Sequence, residues 1–201
     1  MNEPAMPKLH IGHLVADVPI VQGGMGVGIS LSNLSSAVAN EGGIGVIATA
    51  GIGMLEPDAD KKPVKANRRA LEKEIAKAKA KTDGIIGVNV MIALSDWENL
   101  VECAVQEGAH MVFLGAGLPL RLPKSLPLDS IDALKTRFAP IVSSARATSL
   151  IFRSWEKLYS HVPDAVVVEG PMAGGHLGFK TSQIDSPDFA LESIVPDVLS
   201  F

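Results

Sequence analysis

The sequence predicts an α/β fold built on a parallel sheet, and three observations support this. Six short apolar segments alternate with segments of helical periodicity, in units of roughly 25 to 40 residues, which is the size of a βα unit. The apolar segments are continuous, as expected for strands buried on both faces. The chain of 201 residues has 19 glycines and only 4% aromatic residues, which is typical of tight loops between strands and helices. Periodicity alone leaves open a doubly wound sheet and a TIM-type barrel, although six units fit the open sheet by count.

The predicted strands are short and rich in valine, isoleucine and glycine. They cover Pro19–Gln22, Ile44–Ala48, Ile85–Asn89, Met111–Leu114, Pro140–Ser144 and Ala165–Val168. Apolar residues at three- and four-residue spacing and polar capping residues predict a helix after each strand. The first helix is expected from Ser32 or Asn33 to just before Gly42, and the others over Val64–Lys81, Asp96–Gln106, Leu128–Phe138, Thr148–Ser160 and Phe189–Val195. Residues 1–18 form a lead-in without a strong period, so we expect residues 19–201 to form the folded unit.

Composition narrows the classes of function. With 47% hydrophobic residues and a net charge of -4, the chain can bury a core of one domain or at most two, and it has no excess of positive charge for nucleic acid or an anionic membrane. No window approaches 18 uninterrupted apolar residues, and the N-terminus does not resemble a signal peptide. The single cysteine, Cys103, suits a reducing cytosol, so we expect a cytoplasmic protein in which this thiol is a buried small hydrophobe rather than a nucleophile.

The first glycine-rich motif, Gly23–Gly28, follows the first predicted strand. Its spacing, G-G-x-G-x-G, differs from the dinucleotide fingerprint, and no Lys-Ser/Thr pair follows it as in a P-loop. The motif indicates either a close backbone approach to a ligand or glycines needed for tight packing of strand against helix. Met25 within it is either a gap-filling core residue or a soft platform for an aromatic ring.

The second glycine-rich motif follows the sixth predicted strand and contains Glu169, Gly174, Gly175 and His176. Paired glycines let a flat ligand approach the backbone, and a titratable imidazole after a parallel strand lies where α/β enzymes perform their chemistry. The alternative is a glycine-rich turn with an exposed histidine. Glu169 is either a ligand contact or an acid paired with a nearby arginine such as Arg146.

Polar residues also end two of the other predicted strands. Asn89 ends the third, where its carboxamide can contact a heterocycle or cap a neighbouring turn. Ser143 and Ser144 end the fifth, where their hydroxyls can bind a ligand or the local backbone. Because the carboxyl ends of parallel strands meet at one edge of a sheet, we expect these groups to converge. The histidines show no metal-ligand spacing beyond His10-x-x-His13, which we interpret as incidental, and the sequence contains no G-x-S-x-G elbow.

As a set, the motifs resemble those of nitronate monooxygenases, formerly called 2-nitropropane dioxygenases, and of the related FMN-dependent enoyl-acyl-carrier-protein reductases. The segments that carry the resemblance are 19–26, 41–45, 87–91, 115–119, 140–143 and 169–178. The resemblance implies a TIM-type (β/α)8 barrel, of which this chain supplies about six βα units, with FMN at the carboxyl ends of the strands. It assigns His176 as the active-site histidine, a base or hydrogen-bond donor to a nitro group, a role that imidazole suits. It places Gly24, Met25, Gly26, Asn89, Gly174 and Gly175 around the cofactor, and we expect Ser143 and Glu169 at the neighbouring strand ends to bind the cofactor as well.

The expected activity is therefore oxidation of alkyl nitronates with O2 by an FMN-dependent enzyme, with NAD(P)H-dependent enoyl-thioester reduction as the alternative. Members of the family are longer, and the loops after strands seven and eight that hold the FMN phosphate have no counterpart here, so we expect a C-terminally truncated barrel. Two alternatives stay open. One is an inactive barrel fragment, for which a homo-oligomer would bury the open sheet edges, and the other is an unrelated doubly wound binding domain.

Overall fold

The computed structural model describes residues 6–127, 131 and 133–201. Among them are seven strands and five α-helices. The strands are β1 (Leu9–Ile11), β2 (Leu14–Ala16), β3 (Ile44–Ala48), β4 (Ile85–Met91), β5 (Met111–Gly115), β6 (Arg137–Val142) and β7 (Val167–Val168). The helices are α1 (Ser32–Asn40), α2 (Pro63–Lys79), α3 (Trp97–Gln106), α4 (Ala145–Tyr159) and α5 (Leu191–Leu199). Short 3-10 turns at Thr181–Gln183 and Pro187–Phe189 precede α5.

The main sheet is parallel and its strands follow one another in chain order. β3, β4, β5, β6 and β7 are hydrogen-bonded in that sequence, and each pair is parallel. A sequential order is that of a curling barrel, whereas a doubly wound sheet reverses its order at a switch point. The TIM-type barrel expectation is therefore confirmed as a partial barrel, and the doubly wound alternative is wrong.

The first predicted strand, Pro19–Gln22, is wrong in its extent. Only a single parallel bridge, Val21 to Ile44, joins this segment to the outer edge of β3. Beyond this bridge, the Gln22 side chain replaces the backbone as the hydrogen-bonding partner of β3. The Gln22 carboxamide accepts a hydrogen bond from the Val46 N–H at 3.2 Å and donates one to the Val46 carbonyl at 3.0 Å. The segment therefore occupies a sixth strand position without forming a full strand.

The region between β5 and α4 also departs from prediction. The helix expected over Leu128–Phe138 falls partly outside the described residues, at 128–130 and 132. Its end is wrong, because β6 begins at Arg137, which pairs with Met111 of β5. Pairing with a neighbouring strand is a long-range interaction that overrode the local helical pattern. The fifth predicted strand accordingly starts earlier than expected, and the sixth shortens to β7.

The other predicted helices correspond to α1, α2, α3, α4 and α5, with ends displaced by at most four residues. The N-caps of two helices differ from the prediction. Leu31 is the N-cap of α1, and the Ser32 N–H instead donates to the Glu74 carboxylate of α2 at 2.9 Å. Asp96 precedes α3 as predicted, but its carboxylate accepts from the Asn67 side chain at 2.8 Å rather than from the helix.

The core has two layers, one on each face of the sheet. The larger lies between the sheet and the helices and includes Cys103, which is fully buried as predicted. The smaller fills the inside of the curl. The lead-in forms an antiparallel hairpin, β1 with β2, and its Ile11 and Leu14 join the inner layer. Gly12 at its tip lies against Arg137, the first residue of β6, so the hairpin covers the amino ends of the strands and leaves the carboxyl ends open.

The division of the chain into a lead-in over 1–18 and a barrel over 19–201 stays a prediction. In the part of the chain that the structure describes, no helix combines the length and the apolar character needed to cross a membrane.

Candidate functional site

A cleft of about 1160 Å³ opens at the carboxyl ends of the strands. Its walls are the first glycine-rich loop, the ends of β4, β5 and β6, and the loop after β7. All nine residues predicted for the site line this cleft: Gly24, Met25, Gly26, Asn89, Ser143, Glu169, Gly174, Gly175 and His176. The predicted convergence is therefore observed, while the role of each residue stays a prediction.

The first glycine-rich loop is organised by a buried serine that the sequence did not single out. Ser30 is completely buried. Its Oγ accepts hydrogen bonds from the Met25 N–H at 3.0 Å and the Gln22 carboxamide at 2.9 Å, and it donates to the Gly23 carbonyl at 3.2 Å. A buried hydroxyl that satisfies backbone groups of a loop holds that loop in one conformation. The only available signal was a polar residue at the start of an otherwise apolar helix pattern.

The glycines of the cleft fall into two groups: some are required by packing within the protein, and others leave room for a ligand. A Cβ at Gly24 would lie 2.6 Å from the Asn89 Cβ, and a Cβ at Gly26 would lie 2.9 Å from the Ala50 Cβ. These two glycines are required by packing within the protein. Met25 between them is 46% exposed, so it is not a filler of the core.

The second group faces empty space. A Cβ at Gly23, Gly174 or Gly175 would meet no atom within 4 Å, and all three residues line the cleft. Gly175 has φ of +90°, a conformation that side chains rarely adopt. Bare backbone on two opposing walls forms a cradle that fits a flat aromatic group such as the FMN ring.

His176 and Asn89 both present unpaired polar groups to the cleft. The His176 side chain is exposed and makes no hydrogen bond with the described residues. Asn89 is half-buried and lies two residues before the end of β4, which extends past the predicted end to Met91. Its backbone carbonyl accepts from the Thr49 N–H and hydroxyl, at 3.0 and 2.9 Å. Its carboxamide bonds to none of the described residues, so it does not cap a turn there. Both side chains are free to bind a ligand.

Glu169 is not paired with Arg146 in the described part of the chain, so that alternative is wrong. The Glu169 carboxylate instead accepts a hydrogen bond from the Gly178 N–H at 3.4 Å. The two serines also differ from each other. Ser144 is the N-cap of α4, with its Oγ accepting from the Ala147 N–H at 3.2 Å. Ser143 lines the cleft and lies against Gly178.

The cleft also has apolar walls that sequence reasoning did not assign to the site. They are formed by Met54, Met91, Leu118 and Ile141. Segment 115–119, at the end of β5, carries part of the family resemblance, but nothing in the sequence assigned it to the site. Its residues 115–118 all line the cleft. Apolar walls around a few polar groups are the usual composition of a small-molecule site.

No group of three or more His, Cys, Asp or Glu side chains among the described residues is arranged to hold a metal ion. His13 lies in the β1–β2 hairpin at the amino ends of the strands, where its Nδ1 accepts a hydrogen bond from the Arg137 Nε at 3.1 Å. It therefore has a structural contact away from the cleft.

Comparison with known proteins identifies the family. The sequence profile described as "Nitronate monooxygenase" matches residues 8–201. A (3aS,4S,5R,7aS)-5-hydroxy-7a-methyl-1-oxo-octahydro-1H-indene-4-carboxyl-CoA dehydrogenase of Mycobacterium tuberculosis is 31% identical over 160 residues, which cover 80% of this chain and 38% of the relative. A relative with the same name from Rhodococcus jostii is 28% identical over 160 residues, with the same coverage.

Solved structures agree on the fold. FabK from Thermotoga maritima superimposes with a TM-score of 0.60 at 29% identity, over 80% of this chain and 43% of that one. Nitroalkane oxidase from Streptomyces ansochromogenes gives a TM-score of 0.66 over 91% of this chain and 55% of that one, but at 18% identity it supports the fold alone. The chain thus spans less than half the length of the dehydrogenases and of FabK. Taken with the sequential parallel sheet and the cleft at its carboxyl edge, the profile match shows that this chain belongs to the nitronate monooxygenase family of oxidoreductases.

Proposed function

We propose that this chain binds FMN in the cleft and provides the catalytic histidine of an enzyme that oxidises alkyl nitronates with O2. The observation that carries the proposal is the glycine cradle, Gly23 on one wall and Gly174 and Gly175 on the other. Beside it lies the His176 imidazole, which makes no hydrogen bond with the described residues. Family membership supports the class of reaction. The activity of the longer proteins in the family is carried over to this chain only as part of this proposal.

In this proposal the backbone of the three open glycines contacts the faces of the flavin ring, and the Asn89 carboxamide hydrogen-bonds to its edge. Bound FMN supplies the electron-accepting centre and the reaction with oxygen. His176 donates a hydrogen bond to a nitro oxygen of the nitronate, or removes the α-proton when a nitroalkane is the substrate. The apolar walls at Met54 and Leu118 accept the alkyl group and exclude water.

Chemistry on an acyl thioester is the second candidate. It is favoured by the dehydrogenase relative at 31% identity, whose name specifies a carboxyl-CoA compound, and by the motif resemblance to FMN-dependent enoyl reductases. In this case NAD(P)H is the electron donor. The same cradle and the same histidine serve either reaction, so the substrate decides between them.

The first experiment is FMN retention by the purified chain, measured by visible absorption after removal of free flavin. We expect flavin bands to remain with the protein. Gly174→Leu tests the cradle, because a Cβ at this position meets no protein atom within 4 Å. The substitution should lower FMN retention without loss of the fold. If the wild-type chain retains no FMN, or if Gly174→Leu retains as much as wild type, the proposed cradle is wrong.

The reaction is then tested by oxygen consumption with alkyl nitronates and by NAD(P)H-dependent reduction of crotonyl thioester. His176→Ala should keep FMN and lower nitronate turnover about 100-fold or more, the usual loss when a general base or acid is removed. Turnover of the thioester without oxygen consumption on nitronates would favour the second candidate. Unchanged nitronate turnover in His176→Ala would contradict the role given to this residue.

A further inference from the structure

We propose that Glu169 and Gly178 are positioning residues that set the location of His176. The consequence for catalysis rests on the proposed function, but the structural claim concerns only how the loop that carries His176 is held in place. It changes the role of Glu169, which we predicted from the sequence to bind the cofactor, and it gives Ser143 a packing role.

The position of His176 depends on its backbone. Its imidazole makes no hydrogen bond with the described residues, so no neighbouring side chain orients it. On its amino side stand Gly174 and Gly175, which have only open space where a side chain would be. Consecutive glycines without packing partners constrain a chain poorly. The fixed point of the loop must therefore lie on the carboxyl side of His176.

Gly178, two residues later, is that fixed point. Its N–H donates to Glu169 Oε2 at 3.4 Å. A Cβ at Gly178 would lie 2.4 Å from Ser143 Oγ and 3.0 Å from Ser143 Cβ, so the backbone is pressed against the end of β6. Beyond it, Phe179 meets Phe189 edge to face, with ring centroids 6.2 Å apart.

Two strands thus hold one loop residue from two directions. Glu169 follows β7 and Ser143 follows β6, and these strands are adjacent in the sheet. The geometry transfers the rigidity of the sheet to Gly178 and, through one intervening residue, to His176. A side chain at Gly178 needs about one additional ångström to reach ordinary van der Waals distance from Ser143 Oγ, and a displacement of about 1 Å at a reacting group can cost about 100-fold in rate.

The test uses the full chain labelled with carbon-13 at the histidine Cε1 position, observed by NMR with and without FMN. His176→Ala identifies the His176 resonance. We expect Glu169→Ala and Gly178→Ala to shift or broaden this resonance. The resonance of His110, which is half-buried and directly precedes β5, should stay unchanged as a reporter of the fold. Glu169→Gln keeps an oxygen acceptor and should restore the wild-type signal. In the double variant Gly178→Ala with Ser143→Gly, the clash is removed and the signal should also return.

A His176 resonance that is identical in wild type and Glu169→Ala would overturn the inference, as would failure of Glu169→Gln to restore it. If Gly178→Ala does not fold, the two Glu169 variants decide alone. The failure of the proposed function is a separate result, namely FMN-bound wild type that oxidises no nitronate, and it leaves the NMR comparison unaffected. Where nitronate oxidation is observed, kcat/KM should fall up to about 100-fold in Glu169→Ala and recover in Glu169→Gln.

Discussion

Replacing Ser30 by alanine removes the buried hydroxyl around which the first glycine-rich loop is built. The Ser30 Oγ makes three hydrogen bonds, to the Met25 N–H, the Gln22 carboxamide and the Gly23 carbonyl, at 3.0, 2.9 and 3.2 Å. The Gln22 amide keeps its second acceptor, the Val46 carbonyl at 3.0 Å. The Met25 N–H has no other acceptor among the described residues. The substitution therefore leaves at least one backbone donor unsatisfied and releases the loop that forms one wall of the cleft.

The magnitude follows from these contacts. A hydrogen bond contributes about 1 kcal/mol net, and a buried donor left without a partner costs about 1 to 3 kcal/mol. We expect Ser30→Ala to lower the free energy of unfolding by about 2 to 4 kcal/mol. Ser36→Ala is the matched control, because Ser36 is also buried but, among the described residues, its hydroxyl donates only to the Asn33 carbonyl within α1, at 3.2 Å. The higher helix propensity of alanine offsets that loss, so the control should change stability by less than about 1 kcal/mol.

Urea unfolding followed by far-UV circular dichroism measures both variants, with the slope of the transition checked for equality. FMN retention is measured on the same samples, and Ser30→Ala should retain less flavin than Ser36→Ala because its loop is released. Equal stability of the two variants would refute the argument that the Ser30 hydroxyl organises the loop.

Three further predictions concern the layers around the site. Gly45→Ala should destabilise by more than about 3 kcal/mol or prevent folding, because its Cβ would lie 1.8 Å from the Ser35 carbonyl oxygen; an unchanged melting temperature would contradict this. Burial raises the pKa of the Cys103 thiol to about 12, so thiol reagents at pH 8 should react only as the protein unfolds, and rapid labelling of native protein would be the opposite result. Burial lowers the pKa of His110, whose Nδ1 accepts a hydrogen bond from the Ile86 N–H at 3.0 Å. Because the unfolded state then binds the proton more readily than the folded state, the free energy of unfolding should fall as the pH drops below about 6.5. His110→Asn keeps an acceptor and should flatten that dependence, and the same slope in both proteins would exclude His110 as its source.

The parallel sheet was predictable because its strands are continuous apolar runs separated by helices, a pattern that local sequence carries in full. Ile44–Ala48 is buried at every position and matches the predicted strand. The segment around Arg137 was not predictable, because its conformation comes from pairing with β5 rather than from its own residues. The same holds for the start of α1, where Glu74 of another helix satisfies the Ser32 N–H.

The candidate site followed from a simple geometric rule, since carboxyl ends of parallel strands meet at one edge. Its residues were therefore found together, from Gly24 on one wall to His176 on the other. Which glycines pack and which face open space could not be predicted, because all glycines are alike in sequence. Ser30 was missed for a related reason: a serine near a helix start is common, and only its burial distinguishes it.

The sequence by itself determined the class of fold, the order of the strands along the chain and nine of the residues that meet in the cleft. These properties depend on hydrophobic periodicity and on the position of polar residues at strand ends, which are local. Tertiary structure alone decided that Gly23 and Gly174 form an open cradle while Gly24 packs on Asn89, and that Glu169 holds Gly178 rather than Arg146. Such contacts join residues from different strands, and their distances are set by how the sheet curls.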